Sequence, residues 1–323
     1  MDATTLPELT YCGEKIDTSV AEFGILRSSS EALDDREELW RRMAADGYLY
    51  LPGYLDREQV VEARHAVLER LHQSGLLDVR FAPAEGFVRP GRTLSFMPTV
   101  TRDNQALDRV LYAGAMMEFY EFFLGGPVRH FDYTWFRAKS PGTNTATQPH
   151  CDIVYMGRGT QQLYTSWTPL SDVPYEMGGL IVLEHSHQIE ELVQTYGQTD
   201  VDAYCENEGI RPREIVEQAQ AERRELKEEE RKEIRWNSTG AYGTDALEVQ
   251  RQLGRRWLSA EYQMGDLLVF CMHLMHASSD NQTNQIRLSS DSRYQLASES
   301  VDERWIGEDP PTHGIRAKRG MIC

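Results

Sequence analysis

The chain has 323 residues, enough to bury a large core, and its 40% hydrophobic and 26% charged content fits a soluble globular protein. A net charge of −17 argues against nonspecific binding to nucleic acid or anionic membrane, since both want basic patches. Five scattered cysteines without a CxxC, no basic and apolar leader in "MDATTLPELT", and no apolar run near the ~18 residues of a membrane span lead us to expect a cytoplasmic protein.

In chain order, residues 1–32 read as a polar arm, and residues 33–323 as a single domain. "SEALDDREELWRRMAADGYLYLPGYLDREQVVEARHAVLERLHQSGLL" gives helix, short strand, helix. Gly47 ends the first helix, and Asp56 opens the second with Gln59 three residues on, in the manner of a capping box. Val60, Ala63, Val67 and Leu71 mark the second helix's buried stripe. From about residue 126 the apolar period changes to two. "VRHFDYTWFRA", "QLYTSWTPL", "GGLIVLEHS", "DLLVFCMHLMHA" and "IRLSSDSRYQLA" are rich in aromatic and β-branched residues and are split by turn residues. Such a run predicts a mainly β protein with flanking helices, a sandwich or jelly roll. A segment at about 188–255 interrupts it. Within it, Arg213 to Arg235 places opposite charges at helical spacing, as in Arg224 with Glu228 and Glu228 with Lys232, and reads as a solvated helix.

Two His-x-Asp pairs compete as metal ligands, and chance alone makes one or two such pairs among so many acids. His130 and Asp132 lie inside a continuous strand pattern, as ordinary sheet residues would. His150 and Asp152 follow the turn-rich "KSPGTNTATQP", so they stand at a rim, where functional residues concentrate. Cys151 between them turns away on a strand and reads as a packed thiol. Of His273 and His276, the second precedes small polar residues at a strand end, and the first reads as a packed histidine. His150, Asp152 and His276 then make the two-histidine, one-carboxylate facial set of non-haem Fe(II) enzymes, with coordination positions left open. A structural zinc site would close its shell with four ligands. Arg287 opens the next strand, and a buried arginine there wants an anion. A carboxylate ligand and a structural salt bridge both satisfy it.

Together "KSPGTNTATQPHCD", "WTPLSDVPYEMGGLIVLEHSH" and "MGDLLVFCMHLMHASSDNQTNQIR" resemble the core of the phytanoyl-CoA dioxygenase family, and "DGYLYLPGYLDREQVVEAR" matches that family's opening strand and helix. The resemblance covers roughly residues 40–190 and 255–300. Where the family commonly reads Pro-Gly-Ser-His, Glu184 and His185 stand in place of Pro and Gly. It implies a double-stranded β-helix (a cupin-like jelly roll) using Fe(II) with 2-oxoglutarate as cosubstrate. It also implies iron on His150, Asp152 and His276 and the far carboxylate of 2-oxoglutarate on Arg287. Ser278 would assist Arg287, and Trp167 would line the pocket, although a core tryptophan on "LYTSW" reads equally well. Gly178 and Gly179 read as turn residues.

The implied activity is a dioxygenase that oxidises an unactivated C–H bond of a small-molecule substrate with O2, releasing succinate and CO2. A non-catalytic metal-binding barrel and a divalent-metal hydrolase or isomerase are the alternatives. Halogenation is disfavoured, because it needs the Asp152 position free for halide. Arg89, Arg92, Arg255 and Arg256 are the candidates for a CoA phosphate clamp, and the acidic chain favours a small metabolite instead.

Overall fold

The computed structural model describes residues 6–203, 210–234 and 240–318. A small hairpin, β1 (Thr10–Tyr11) and β2 (Glu14–Lys15), leads to β3 (Phe23–Ile25). Helix α1 (Arg36–Asp46) is capped by Asp35 and stops at Gly47, whose φ of 78° is the left-handed stop that glycine adopts freely. Strand β4 (Tyr48–Leu51) follows, then α2 (Arg57–Gln73). Asp56 accepts from the Glu58 and Gln59 amides, while the Gln59 side chain returns to the Asp56 carboxylate rather than to its backbone. Val60, Ala63, Val67 and Leu71 are buried as their spacing predicts. Helices α3 (Gln105–Tyr112) and α4 (Gly114–Leu124) complete the flank.

The remaining strands form two facing sheets, a jelly roll. The major sheet runs β4, β11 (Leu267–Cys271), β8 (Tyr164–Pro169), β13 (Arg287–Leu296). Two strands, β5 (Val128–His130) and β6 (Trp135–Lys139), then pair with successive parts of β13. The minor sheet runs β3, β10 (Trp257–Ser259), β9 (Leu180–Leu183), β12 (His276–Ser278), β7 (Thr147–His150). Pleat alternation divides the core. One face of the major sheet, with Leu49, Leu288 and Tyr294, packs on α1 to α4. Its other face, with Tyr50, Trp167 and Leu268, meets Val182 and Leu258 of the minor sheet inside the roll.

Three sequence expectations change. Over its described residues, 6–32, the arm expected at 1–32 is not a free polar tail: Leu9, Tyr11, Ile16 and Phe23 are buried, and β3 pairs in parallel with β10. Its pairing segment is only three residues long, too short to show a period. The stretch "VRHFDYTWFRA" is not one strand, because the chain leaves the ladder between His130 and Trp135 before rejoining β13. The charged helix is two, α7 (Ile210–Ala221) and α8 (Glu228–Glu233), and Arg235 lies outside the described residues. Helix α7 is also not solvated all round, since Ile215, Val216 and Ala219 pack with Ile234 and Ile315. Arg224 pairs with Glu222 and Glu230 rather than Glu228, while Lys232 stands 4.0 Å from Glu228.

Short α5 (Ile153–Met156) follows β7, and α6 (Glu190–Gln194) and α9 (Ala246–Leu253) belong to the 188–255 segment. The chain beyond β13 is tied to that segment by ions. Fully buried Asp202 accepts from Arg304 Nη1 (2.6 Å), His313 Nδ1 (2.9 Å) and Lys318 Nζ (2.6 Å). Trp305 thereby seats against Trp135 at 4.7 Å between ring centres. No helix among the described residues is long and apolar enough to cross a membrane.

Candidate metal centre

Strand β7 delivers His150 opposite His276 of β12, so both imidazoles leave the minor sheet toward the inside of the roll. His276 opens a strand rather than closing one: the chain crosses from the major to the minor sheet between Cys271 and His276. Asp152 is not on the strand with His150. Its backbone is already helical (φ −62°, ψ −26°) and starts α5, which swings the carboxylate back toward the two histidines. Asp152 Oδ1 lies 4.0 Å from His150 Nε2 and 3.8 Å from His276 Nε2. One donor atom from each residue falls within 4.8 Å of the others, and all three residues are buried.

Each imidazole has its tautomer fixed by a carbonyl, which can only accept. His150 Nδ1–H donates to Gln148 O at 2.7 Å, and His276 Nδ1–H to Leu274 O at 3.0 Å. Both Nε2 atoms therefore present lone pairs to the common point. Burial, helped by the neighbouring His276, pushes His150 down to about 3, and burial lowers His276 too. Burial alone would raise Asp152, but Arg293 and the two histidines outweigh it and hold the carboxyl well below its usual range. Neutral imidazoles beside a carboxylate are the protonation states a divalent metal requires, so the residues fit one.

The outer oxygen of Asp152 is taken. Oδ2 accepts from Arg293 Nη2 at 2.9 Å and from the Thr165 hydroxyl, which leaves Oδ1 facing the histidines. Arg293 also lies 4.0 Å over the Trp135 ring. Neither Arg293 nor Thr165 was among the residues expected from the sequence.

Arg287 stands on the same face of β13 and is 1% exposed. It donates to Ser289 Oγ at 3.0 Å, lies 5.8 Å over the Trp167 ring, and pairs with no carboxylate among the described residues. The salt-bridge reading therefore finds no support. Burial pushes Arg287 down to about 10, so it is still a cation at neutral pH. Arg287 Nε and Trp167 Nε1 are both buried without a hydrogen-bond partner among the described residues. A carboxylate guest relieves such orphaned donors. Trp167 itself belongs to the apolar core between the sheets, as the core reading expects. Ser278 Oγ accepts from Lys139 Nζ at 2.6 Å and from the Thr147 amide, which leaves its own hydrogen to donate. Lys139, opposite Arg287 in the ladder, is a neighbour the sequence reading missed.

The rejected residues sit apart. His130 lies opposite Tyr294, on the helix-facing side of the major sheet, and stacks on Tyr112 at 4.1 Å. Asp132 accepts from the Gly307 amide. His273 lies in the turn between the sheets, where its carbonyl accepts from Cys151 Sγ at 3.3 Å. Cys151 is thus the packed thiol its position suggests. His185 has φ 54°, the left-handed conformation that the family's glycine would take more easily, so the turn persists with a less suitable residue. Gly178 could not carry a side chain: its φ is +76° and a Cβ would lie 2.6 Å from Ser279 O.

The 188–255 segment reaches the site from outside. The Tyr242 amide donates to Pro149 O, and Tyr196 donates its hydroxyl to Gly240 O. Gly240 abuts the Tyr155 ring closely enough that a Cβ would overlap it, and Tyr155 in turn stands edge-on to His150 at 5.5 Å.

Comparison with known proteins gives the family and the fold. The family model described as phytanoyl-CoA dioxygenase (PhyH) matches residues 43–289. A 1-deoxypentalenic acid 11-beta-hydroxylase of Streptomyces exfoliatus is 28% identical over 286 residues, covering 82% of this chain and 83% of that protein. Among solved structures, the epimerase SnoN in complex with Fe3+, alpha ketoglutarate and nogalamycin RO gives a TM-score of 0.52 at 20% identity, over 86% of this chain and 93% of that one. EctD from S. alaskensis with 2-oxoglutarate and 5-hydroxyectoine gives 0.54 at 14% identity, over 100% and 98%. At those identities the two structures show a shared fold.

Proposed function

Because the chain belongs to the phytanoyl-CoA dioxygenase family, we propose that this Fe(II)- and 2-oxoglutarate-dependent oxygenase hydroxylates an unactivated C–H bond of a small molecule, with succinate and CO2 as coproducts. The observation that carries the reading is a roll interior where the minor sheet presents two neutral imidazoles beside one carboxylate and the facing major sheet a buried arginine with no acidic partner among the described residues. His150, Asp152 and His276 are the residues that would hold iron, and iron with 2-oxoglutarate and O2 supplies the oxidising chemistry. Asp152 fills the position that a halide would need, so the reading is hydroxylation rather than halogenation.

The chain's own residues do the rest. Gln148 O and Leu274 O keep both imidazoles aimed, and Arg293 with Thr165 keeps Asp152 from rotating. Arg287 receives the far carboxylate of 2-oxoglutarate through its planar fork, with Ser278 donating alongside and Trp167 forming the apolar cover. Tyr155, backed by Gly240, shields the mouth beside His150 from water, so the 188–255 segment governs substrate access rather than metal binding. Free thiols at Cys12, Cys151 and Cys271 suit a cytoplasmic setting.

The test is direct. Fe(II) and 2-oxoglutarate are added without oxygen, and the charge-transfer absorption of the complex is recorded. Oxygen and candidate metabolites follow, with succinate and a product one oxygen heavier as the expected result. A chlorinated product in chloride buffer would contradict the hydroxylation assignment.

A further inference from the structure

The inner wall carries more positive charge than the proposed chemistry uses. Lys139 and Arg137 project from β6, and Arg287 and Arg293 from β13, with both strands showing these residues on the face toward the histidines. Lys139 is lowered well below its usual range by burial and by Arg287, and Asp280 acts on it in the opposite sense. With Lys139 and Asp280 set aside as one charge of each sign, the acidic partners of Arg137, Arg287 and Arg293 among the described residues are Asp152 and Asp291. A divalent iron and a doubly charged 2-oxoglutarate cancel each other, so one positive charge is left over. Uncompensated charge in a partly dry site is unfavourable, and an anionic guest relieves it.

Arg137 is the member of this group placed to meet a guest. It is the one of the three that solvent reaches, with a side chain 27% exposed, whereas Arg287 and Arg293 are 1% and 2% exposed. Its Nε donates to Asp291 at 3.2 Å, and its two terminal nitrogens make no hydrogen bond among the described residues. Around it the wall is aromatic: Phe96 lies 5.6 Å beneath the guanidinium and is 45% exposed, and Trp135 follows on the same face. Of the CoA clamp candidates, Arg256 is held by both oxygens of Glu184 and does not join it.

Resting on the oxygenase reading above, we infer that the substrate is a largely apolar monoanion, an organic acid whose carboxylate pairs with the terminal nitrogens of Arg137 while its body lies against the exposed Phe96 ring. Arg137 is then the residue that selects the substrate and sets which carbon approaches the metal.

The experiment uses full-length protein loaded with Fe(II) and saturating 2-oxoglutarate without oxygen, so that Arg287 is already occupied. Decanoate, 4-phenylbutyrate and 1-adamantanecarboxylate are each titrated against their primary amides. Two readouts follow binding: the change in the charge-transfer band, and ligand-observed NMR on a Zn(II)-loaded sample. At least one acid is expected to bind about tenfold or more tightly than its amide, from a charge-assisted hydrogen bond at a half-open site. Arg137→Gln should erase the preference and Arg137→Lys should restore part of it. If no acid is preferred over its amide, or Arg137→Gln keeps the preference, the inference is overturned. The band formed before any probe is added reports on the oxygenase reading separately: its presence with no acid preference removes this inference alone, and its absence removes the function on which it rests.

Discussion

The two His-x-Asp pairs of this chain are written alike and live differently. His130 pairs with Tyr294, which faces the helices, so its ring packs on Tyr112 on the outside of the roll. His150 pairs with His276 on the inner face of the minor sheet. In the outer pair, Asp132 stays in irregular chain and caps the Gly307 amide. In the inner pair, Asp152 enters a helical turn that aims it back at the histidine. The difference is one of pleat parity and local backbone, not of residue type. A metal-ligand motif is therefore a statement about which side of a sheet it faces and about the backbone that follows it.

Mutation can break this comparison in graded steps. His276→Ala should remove iron binding and turnover altogether, while His130→Ala and His273→Ala bind iron like the unaltered protein in an anaerobic titration. Loss of iron with His130→Ala alone would mean the wrong pair had been chosen. Next comes the support of Asp152. Arg293→Gln removes its buried ionic partner, and outer supports of metal ligands are worth about 10–100-fold in metal affinity or activity, so iron should bind at least about tenfold more weakly. Unchanged affinity would make Arg293 a packing residue only.

The third step leaves iron alone. Arg287→Ala should raise the 2-oxoglutarate concentration for half-saturation by about tenfold or more, since each bond to a charged group is worth about 1.5–3 kcal/mol. Arg287→Lys should recover part of that. Identical curves for the three proteins would separate Arg287 from the cosubstrate. The smallest effect belongs to the outer pair. Asp132→Asn keeps an acceptor for Gly307 N–H, so we expect a loss under about 1 kcal/mol in thermal or urea unfolding, with iron binding untouched. A larger loss, or weakened iron, would show that the outer pair is coupled to the centre.

These steps also mark what the sequence made legible. His150, Asp152, His276 and Arg287 announced themselves because rim loops and turn residues surround them. Arg293 and Lys139 did not, although their alternation with Arg287 and Arg137 along two strands carried the signal. Reading it needs the knowledge that β6 and β13 are partners, which is a contact between distant parts of the chain. Thr165 is an ordinary strand residue until the sheets close and Asp152 arrives above it. The fold was legible where runs were long, as along α2, and illegible where a strand had three residues, as at Phe23–Ile25. His185 shows the limit from the other side. A departure from the family's usual residue left the backbone turn intact, because histidine adopts left-handed geometry at some strain rather than abandoning it.

The ties on Asp202 have a consequence for how the protein is made. Lys318 lies 116 residues after the carboxylate that it neutralises. At 5–20 residues per second, a ribosome needs on the order of ten seconds to add the last of the three donors. Throughout that interval Asp202 has to stay hydrated, and Trp305 has yet to reach Trp135. The jelly roll strands, complete at Leu296, can pair first. The nascent chain thus owns its metal ligands before it owns the wall beside them, and closing that wall is a late event of biosynthesis.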